Sequence, residues 1–209
     1  MNKVIGIISY LPDDKKIREA RIRKLTKLLH KLDSIFKLPI MIIAQNYNDF
    51  IPDSNNLMLY EYDKLGIVGA RRKLREVFLK SNYDTLIMLD DDCDVYGTTK
   101  DAQHYLEQLD SNPGMFYEFN TSLLKLFAIS REIFEQVDFD DVNPEDGDGF
   151  EDRIFVETLR IKFPNKRYII DKGSLYEYSV STKDPLSTWY VNQDIKEMLK
   201  KTEEIIDLK

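Results

Sequence analysis

TLIMLDDDCDVYG, residues 85–97, runs four apolar side chains (Leu86, Ile87, Met88, Leu89) straight into Asp90, Asp91 and Asp92, with Asp94 beyond Cys93. The apolar run is short and has no helical period, so it reads as a strand buried on both faces. Like charges packed this tightly repel, and burying them is costly. The cluster therefore belongs at an edge of the core, where a cation or water can neutralise it.

The segments upstream place that strand in a sheet. KVIGIISYL (3–11) is β-branched and apolar, and ends at Pro12 and two aspartates. Asp13 or Asp14 can cap the helix that follows, whose residues Leu25, Leu28, Leu29, Leu32, Ile35 and Phe36 share one face. PIMIIAQNYND (39–49) and NNLMLYEYD (55–63) read as the second and third strands. Two glycines then precede a helix whose start carries Arg71, Arg72 and Lys73, and TLIMLD is the fourth strand. Strand and helix alternate through the first ninety-odd residues, which predicts an α/β fold with a mostly parallel central sheet flanked by helices. Ligands in such sheets bind at the carboxyl ends of the strands, where the acid cluster lies.

Downstream, DAQHYLEQLD suggests a helix, residues 115–130 one or two strands, and Ser130 the cap of a short helix, REIFEQV. An acidic loop leads to a helix over 150–163 with Ile154, Phe155, Thr158 and Leu159 on one face. KRYIID suggests another strand, and residues 191–207 a final helix. One domain of 209 residues is expected, in three stretches, 1–97, 98–190 and a terminal helix over 191–209.

Side chains alternate along a strand, so Asp90 and Asp92 are expected on one side and Asp91 on the other. Two converging carboxylates suit a hard cation such as Mg²⁺ or Mn²⁺. An EF-hand loop counted from Asp90 would need glycine where Val95 stands. A haloacid-dehalogenase-type motif would need threonine or valine where Asp94 stands. Zinc fits poorly with one cysteine and two histidines that lack ligand spacing. A solvated acidic turn is the reading that needs no ligand.

Composition is that of a globular chain, 43% hydrophobic and 32% charged. No apolar run approaches the ~20 residues of a membrane span, and the N-terminus is not expected to be a signal peptide. Cys93 has no internal disulfide partner, consistent with the cytoplasm. The net charge of −7 hides an asymmetry: residues 1–80 hold 16 Lys and Arg against 9 Asp and Glu, the remainder 14 against 28. The basic excess concentrates in residues 15–31, a solvated face or a surface for phosphates or the inner face of a membrane.

Four segments in order resemble a family 2 glycosyltransferase with the GT-A fold. They are ISYLPD after the first strand, GIVGARRKL, the DXD-like LIMLDDD, and FAISREIFEQVDFDD followed by GDGFEDRIF, similar to that family's G-x-E-D segment. The likeness spans roughly residues 1–170. It implies the nucleotide-diphospho-sugar transferase fold and a metal-dependent hexosyltransferase-type activity. By the same resemblance Asp92 and Asp90 would hold Mn²⁺ or Mg²⁺, and Asp90 could instead contact the ribose. Asp94 is the alternative partner of Asp92. Ser9, Tyr10, Asn46, Asp49, Arg71 and Asp91 would lie on the donor side, Arg71 meeting a nucleobase or phosphate unless it is a solvated first-turn charge. Asp152 would be the base and Glu151 would hold acceptor hydroxyls, giving inversion. The dipole of their helix should keep both ionised. The family often carries a late histidine that helps hold the metal; residues 176–179 are Tyr-Glu-Tyr-Ser, and His30 and His104 lie elsewhere. Lys183 and Trp189 could close over the donor, unless Trp189 packs the last helix.

The donor expected is a UDP-sugar, and the acceptor a glycan, a lipid-linked glycan or a modified nucleic acid. A nucleotidyltransferase would need a G-x-G-x-R loop that GIISYLPDDKK lacks. A non-catalytic nucleotide- or cation-binding module is the other alternative.

Overall fold

A computed structural model describes residues 1–118, 126–139 and 151–170. The expected terminal helix, Lys183, Trp189, residues 176–179 and the acidic loop over 140–149 lie outside the described residues. The elements are β1 (Lys3–Tyr10), α1 (Lys15–Ile35), β2 (Ile40–Gln45), β3 (Leu57–Tyr62), α2 (Gly66–Lys80), β4 (Thr85–Asp90), α3 (Thr99–Ser111), β5 (Phe116–Glu118), β6 (Phe127–Ser130), α4 (Arg131–Phe134), α5 (Glu151–Lys162) and β7 (Arg167–Ile169).

The seven strands form one sheet in the order β3-β2-β1-β4-β6-β5-β7. β1 pairs in parallel with β2 and β4, β2 with β3, and β5 with β7. β6 runs antiparallel to both its neighbours, β4 and β5. This is the mostly parallel α/β sheet expected from the alternation.

Helices cover both faces, which is why the central strands are apolar over most of their length, with polar residues near their ends. On one face Leu25, Leu28, Leu29 and Leu32 of α1 and Ala102, Tyr105 and Leu109 of α3 pack on Ile5, Ile7, Ile42, Ile87 and Leu89. On the other, Leu74 and Phe78 of α2 and Ile154, Phe155 and Leu159 of α5 pack on Val4, Met41, Leu86, Met88 and Phe127. Each such leucine or isoleucine contributes roughly 1.5–3 kcal/mol by leaving water. Among the described residues no helix is long and apolar enough to cross a membrane.

Several boundaries differ from expectation. β2 stops at Gln45, not near Asp49, because Asn46 takes a left-handed conformation with φ 55°. The glycines do not precede α2: Gly66 is its first residue, with φ 70°, and Gly69 lies in its first turn. Leu65 N–H donates to Gln45 Oε1 at 2.7 Å and fixes the start of that helix. Arg71 consequently sits in the second turn. Asp14, not Asp13, caps α1, accepting from Lys16 and Ile17 N–H at 3.0 Å each. Ser130 occupies the N-cap position of α4, but its hydroxyl makes no capping bond.

Candidate functional site

β4 delivers the aspartates to the edge of the core and a turn then separates them. Cys93 N–H donates to Asp90 O at 3.2 Å, so Asp91 and Asp92 occupy the corners of a tight turn. Strand alternation holds as far as Asp91. Asp90 faces α2, where Arg71 Nη2 donates to its Oδ1 at 2.6 Å. Asp91 faces α1, where it accepts from Ser9 Oγ at 2.6 Å and pairs with Arg21 Nη1 at 3.3 Å. Asp92 rejoins Asp90 through the turn, and not through the pleat of a continuing strand.

The repulsion among these acids is thus relieved by built-in cations, with one exception. Arg71 serves Asp90, Arg21 serves Asp91, and Lys27 Nζ stands 3.9 Å from Asp94 Oδ1. Asp92 Oδ1 is buried and accepts no hydrogen bond. A buried carboxylate oxygen without a donor is costly. Ligand atoms of Asp90, Asp92 and Cys93 lie within 4.8 Å of one another. An orphaned anionic oxygen beside a second carboxylate and a thiol fits a divalent cation. The structure groups Asp90, not Asp94, with Asp92.

Burial changes the chemistry of two acids. The Asp91 carboxyl is pushed up to about 6, chiefly because it is desolvated, with Arg21 opposing. Glu151, the first residue of α5, is 5% exposed. It is pushed up to about 7 by burial and by the neighbouring charge of Asp152, against the pull of Arg71. The expectation that the helix terminus keeps both acids ionised is therefore corrected for Glu151, where desolvation outweighs the dipole. Asp152 is only partly buried, and its Oδ1 accepts from Arg153 N–H at 2.7 Å.

Arg71 is not a solvated charge. Its side chain is 2% exposed, and Nε and Nη1 have no hydrogen-bond partner. Burial opposes its charge, and Asp90 first, then Glu151 and Asp152, hold its guanidinium protonated.

Along the same sheet edge, a cavity of about 590 Å³ opens at the ends of β1, β2 and β3. Tyr10 and Asn46, both expected on the donor side, line it with Asp13, Tyr47, Asn48, Glu61, Tyr62, Asp63 and Lys64. Lys64 Nζ lies 6.0 Å from the centre of the Tyr10 ring. Asn46 Nδ2 is engaged in structure, donating to Leu11 O at 2.7 Å and Asp13 Oδ1 at 2.9 Å. Ser9 does not line the cavity; its hydroxyl anchors Asp91. Asp49 is exposed and also outside the lining. The contribution of Glu61 to Lys64 was missed from the sequence, although the polar tip of EYDK after an apolar strand carried the same signal as the tip of β4.

Searches against protein families and curated sequences find no match. The fold has clear counterparts. S. aureus TarS 1–349, solved with UDP-GlcNAc, superposes with a TM-score of 0.64 at 11% identity, over 99% of this chain and 66% of that one. The same fragment with UDP gives 0.55 at 16% identity, over 87% and 61%. A protein from Desulfovibrio desulfuricans G20, assigned as a nucleotide-diphospho-sugar transferase, gives 0.53 at 10% identity over 100% and 98%. The chain has the nucleotide-diphospho-sugar transferase fold. It spans about two thirds of the TarS fragment's length or slightly less. Within the nucleotide-diphospho-sugar transferase fold, the cavity at β1–β3 and the acids after β4 occupy adjoining strand ends.

Proposed function

We propose that this chain is a metal-dependent, inverting glycosyltransferase that moves a sugar, of hexosyl type, from a nucleoside-diphosphate sugar to a hydroxyl acceptor. The observation that carries the reading is the buried, unpartnered Oδ1 of Asp92 beside Asp90 at the carboxyl end of β4. The fold shared with nucleotide-diphospho-sugar transferases supports it. The UDP-GlcNAc and UDP of the TarS structures favour a UDP-sugar as donor.

In this reading the nucleoside enters the cavity between Tyr10, Tyr62 and Glu61, and the diphosphate lies toward β4. Asp92, with Asp90, would hold Mn²⁺ or Mg²⁺. A divalent cation there supplies the positive charge that a departing nucleoside diphosphate requires. Asp91 and Ser9 support this turn from the α1 side. Asp152 takes the proton of the acceptor hydroxyl as that oxygen attacks the anomeric carbon from the face opposite the leaving group. Glu151, held near neutrality, orients the acceptor's hydroxyls. The acceptor class is a glycan, lipid-linked or free, or a modified nucleic acid. The basic stretch over 15–31 allows peripheral contact with an anionic surface at the inner face of a membrane.

The test needs no acceptor. Incubation with common nucleotide sugars and Mn²⁺ or Mg²⁺ should release nucleoside diphosphate, and chelation should stop it. Asp152→Asn should abolish transfer and leave donor affinity intact. Absence of nucleotide binding by calorimetry, with and without Mn²⁺, would overturn the proposal. A product of retained anomeric configuration would remove the inversion.

A further inference from the structure

Two partly buried arginines of the basic helix α1, Arg18 and Arg21, stand three residues apart and so share one side of it. Arg18 Nη1 donates to Asn46 O at 2.8 Å and to Leu11 O at 3.3 Å, and its Nη2 donates to Tyr47 O at 2.5 Å. Leu11 follows β1, and Asn46 and Tyr47 follow β2. One side chain thereby ties together the two segments that leave these strands, and those segments supply Tyr10, Asp13, Asn46, Tyr47 and Asn48 to the cavity wall. Asn46 and Asn48 have φ 55° and 49°, a left-handed backbone that a residue with a Cβ adopts at a cost. Arg21 reaches the other part of the site, its Nη1 lying 3.3 Å from Oδ1 and 3.5 Å from Oδ2 of Asp91. Asp91 is buried, also accepts from Ser9 Oγ at 2.6 Å, and precedes Asp92 in the turn closed by Cys93 N–H on Asp90 O.

We propose that Arg18 and Arg21 are positioning residues through which α1 organises the donor site: Arg18 shapes the wall of the nucleoside cavity, and Arg21 holds the turn that presents Asp92. The inference rests on the glycosyltransferase reading and deepens it. Each arginine acts through the groups it holds and not by touching the donor. The planar fork of Arg18 makes charge-assisted bonds to carbonyls of two separate segments, which a single point charge cannot span. Without it the left-handed stretch over 46–48 relaxes, and a nucleoside must pay to order its own pocket. Without Arg21, Asp91 keeps Ser9 alone and the turn beside it loosens. Loss of a group that supports metal ligands from outside commonly weakens metal binding about 10–100-fold. The acceptors named for the two arginines have no residue in common, so the two effects should separate.

The test measures two affinities on the full chain: Mn²⁺ alone by electron paramagnetic resonance, and UDP at saturating Mn²⁺ by calorimetry. Arg18→Met should weaken UDP about tenfold and change Mn²⁺ affinity by less than about threefold. Uridine should weaken by the same factor as UDP, because the cavity wall is what changes; a loss confined to UDP would place Arg18 on the diphosphate and overturn its positioning role. Arg21→Met should weaken Mn²⁺ about tenfold and UDP by less than about threefold. Where a methionine variant does not fold, Arg18→Lys or Arg21→Lys decides, with the same separation at smaller amplitude. Wild-type affinities in variants whose unfolding midpoint drops would make the arginines structural only and overturn the proposal. Equal losses of both affinities in one variant would overturn it as well. Failure of the wild type to bind either UDP or Mn²⁺ would instead remove the underlying reading.

Discussion

Asp91 and Asp90 are adjacent in sequence and sit on opposite faces of the sheet: Ser9 donates to Asp91 at 2.6 Å on the α1 side, and Arg71 donates to Asp90 at 2.6 Å on the α2 side. The consequence for Asp91 is a pH-dependent stability. Its carboxyl is raised from 3.8 to about 6, so the native state holds the proton more tightly than the unfolded chain does. The stability it contributes is complete below about pH 4 and is lost as pH rises through about 6. At ~1.4 kcal/mol per pH unit the change is on the order of 3 kcal/mol. Urea unfolding of wild type and Asp91→Asn from pH 4 to 7 should show wild type losing that amount relative to the variant. Parallel curves would contradict it.

Asp92 makes the opposite prediction. Its buried Oδ1 lacks a donor, so Asp92→Asn should remove most Mn²⁺ affinity, followed by electron paramagnetic resonance of free Mn²⁺. Donor hydrolysis should fall about 10²–10³-fold, the usual cost of losing a preorganised electrostatic group. Asp94→Asn should change Mn²⁺ affinity by less than about threefold, since Asp94 is paired only loosely with Lys27 and lies outside the ligand group. Equal losses in the two variants would move the site to Asp92-Cys93-Asp94.

What was legible in the sequence follows from what local pattern encodes. β1 to β4 and the faces of α1 and α5 were readable because parallel strands are apolar throughout and helices repeat at 3.6 residues. The acids after Met88 were readable as a group for the same reason. Their separate fates were not. Whether Arg71 is solvated or buried depends on α2 packing on the sheet face it shares with α5 and on Asp90 at the end of β4, none of which local pattern encodes. The sharing of Asp91 between Ser9 and Arg21 likewise depends on α1 lying over the end of β4. Glu151 was read from the dipole of its own helix, and tertiary burial reversed the result.

Gly6 in β1 lies against Leu74 of α2 and Leu86 of β4. A Cβ there would stand 2.7 Å from Leu86 Cδ1 and 2.8 Å from Leu74 Cδ1. Both leucines are fully buried in the core on that face, so neither can move freely. Gly6→Ala should therefore destabilise by about 1–3 kcal/mol through overpacking, despite the better strand propensity of alanine. Chemical denaturation would measure this. Pairing it with Leu74→Val should recover part of the loss, and a simple sum of the two effects would count against steric coupling.

Arg131 closes the far end of the helix that carries Arg71. Its Nε donates to Tyr83 O at 2.9 Å, Nη1 to Leu79 O at 2.9 Å, and Nη2 to Phe78 O at 3.0 Å and Ser81 O at 2.9 Å. The guanidinium also lies 4.9 Å from the centre of the Phe78 ring. The last carbonyls of an α-helix lack partners within the helix, and here one side chain from α4 satisfies them and the turn beyond. Arg131→Met keeps the stem over Phe78 and removes the donors, leaving several carbonyls to water or to nothing. The expected cost is about 2–4 kcal/mol, because the bonds are charge-assisted but not additive. The site lies toward the opposite end of α2, so the folded fraction should bind UDP with wild-type affinity while the unfolding midpoint drops. Loss of affinity at an unchanged midpoint would mean that Arg131 acts on the site and not on the helix end.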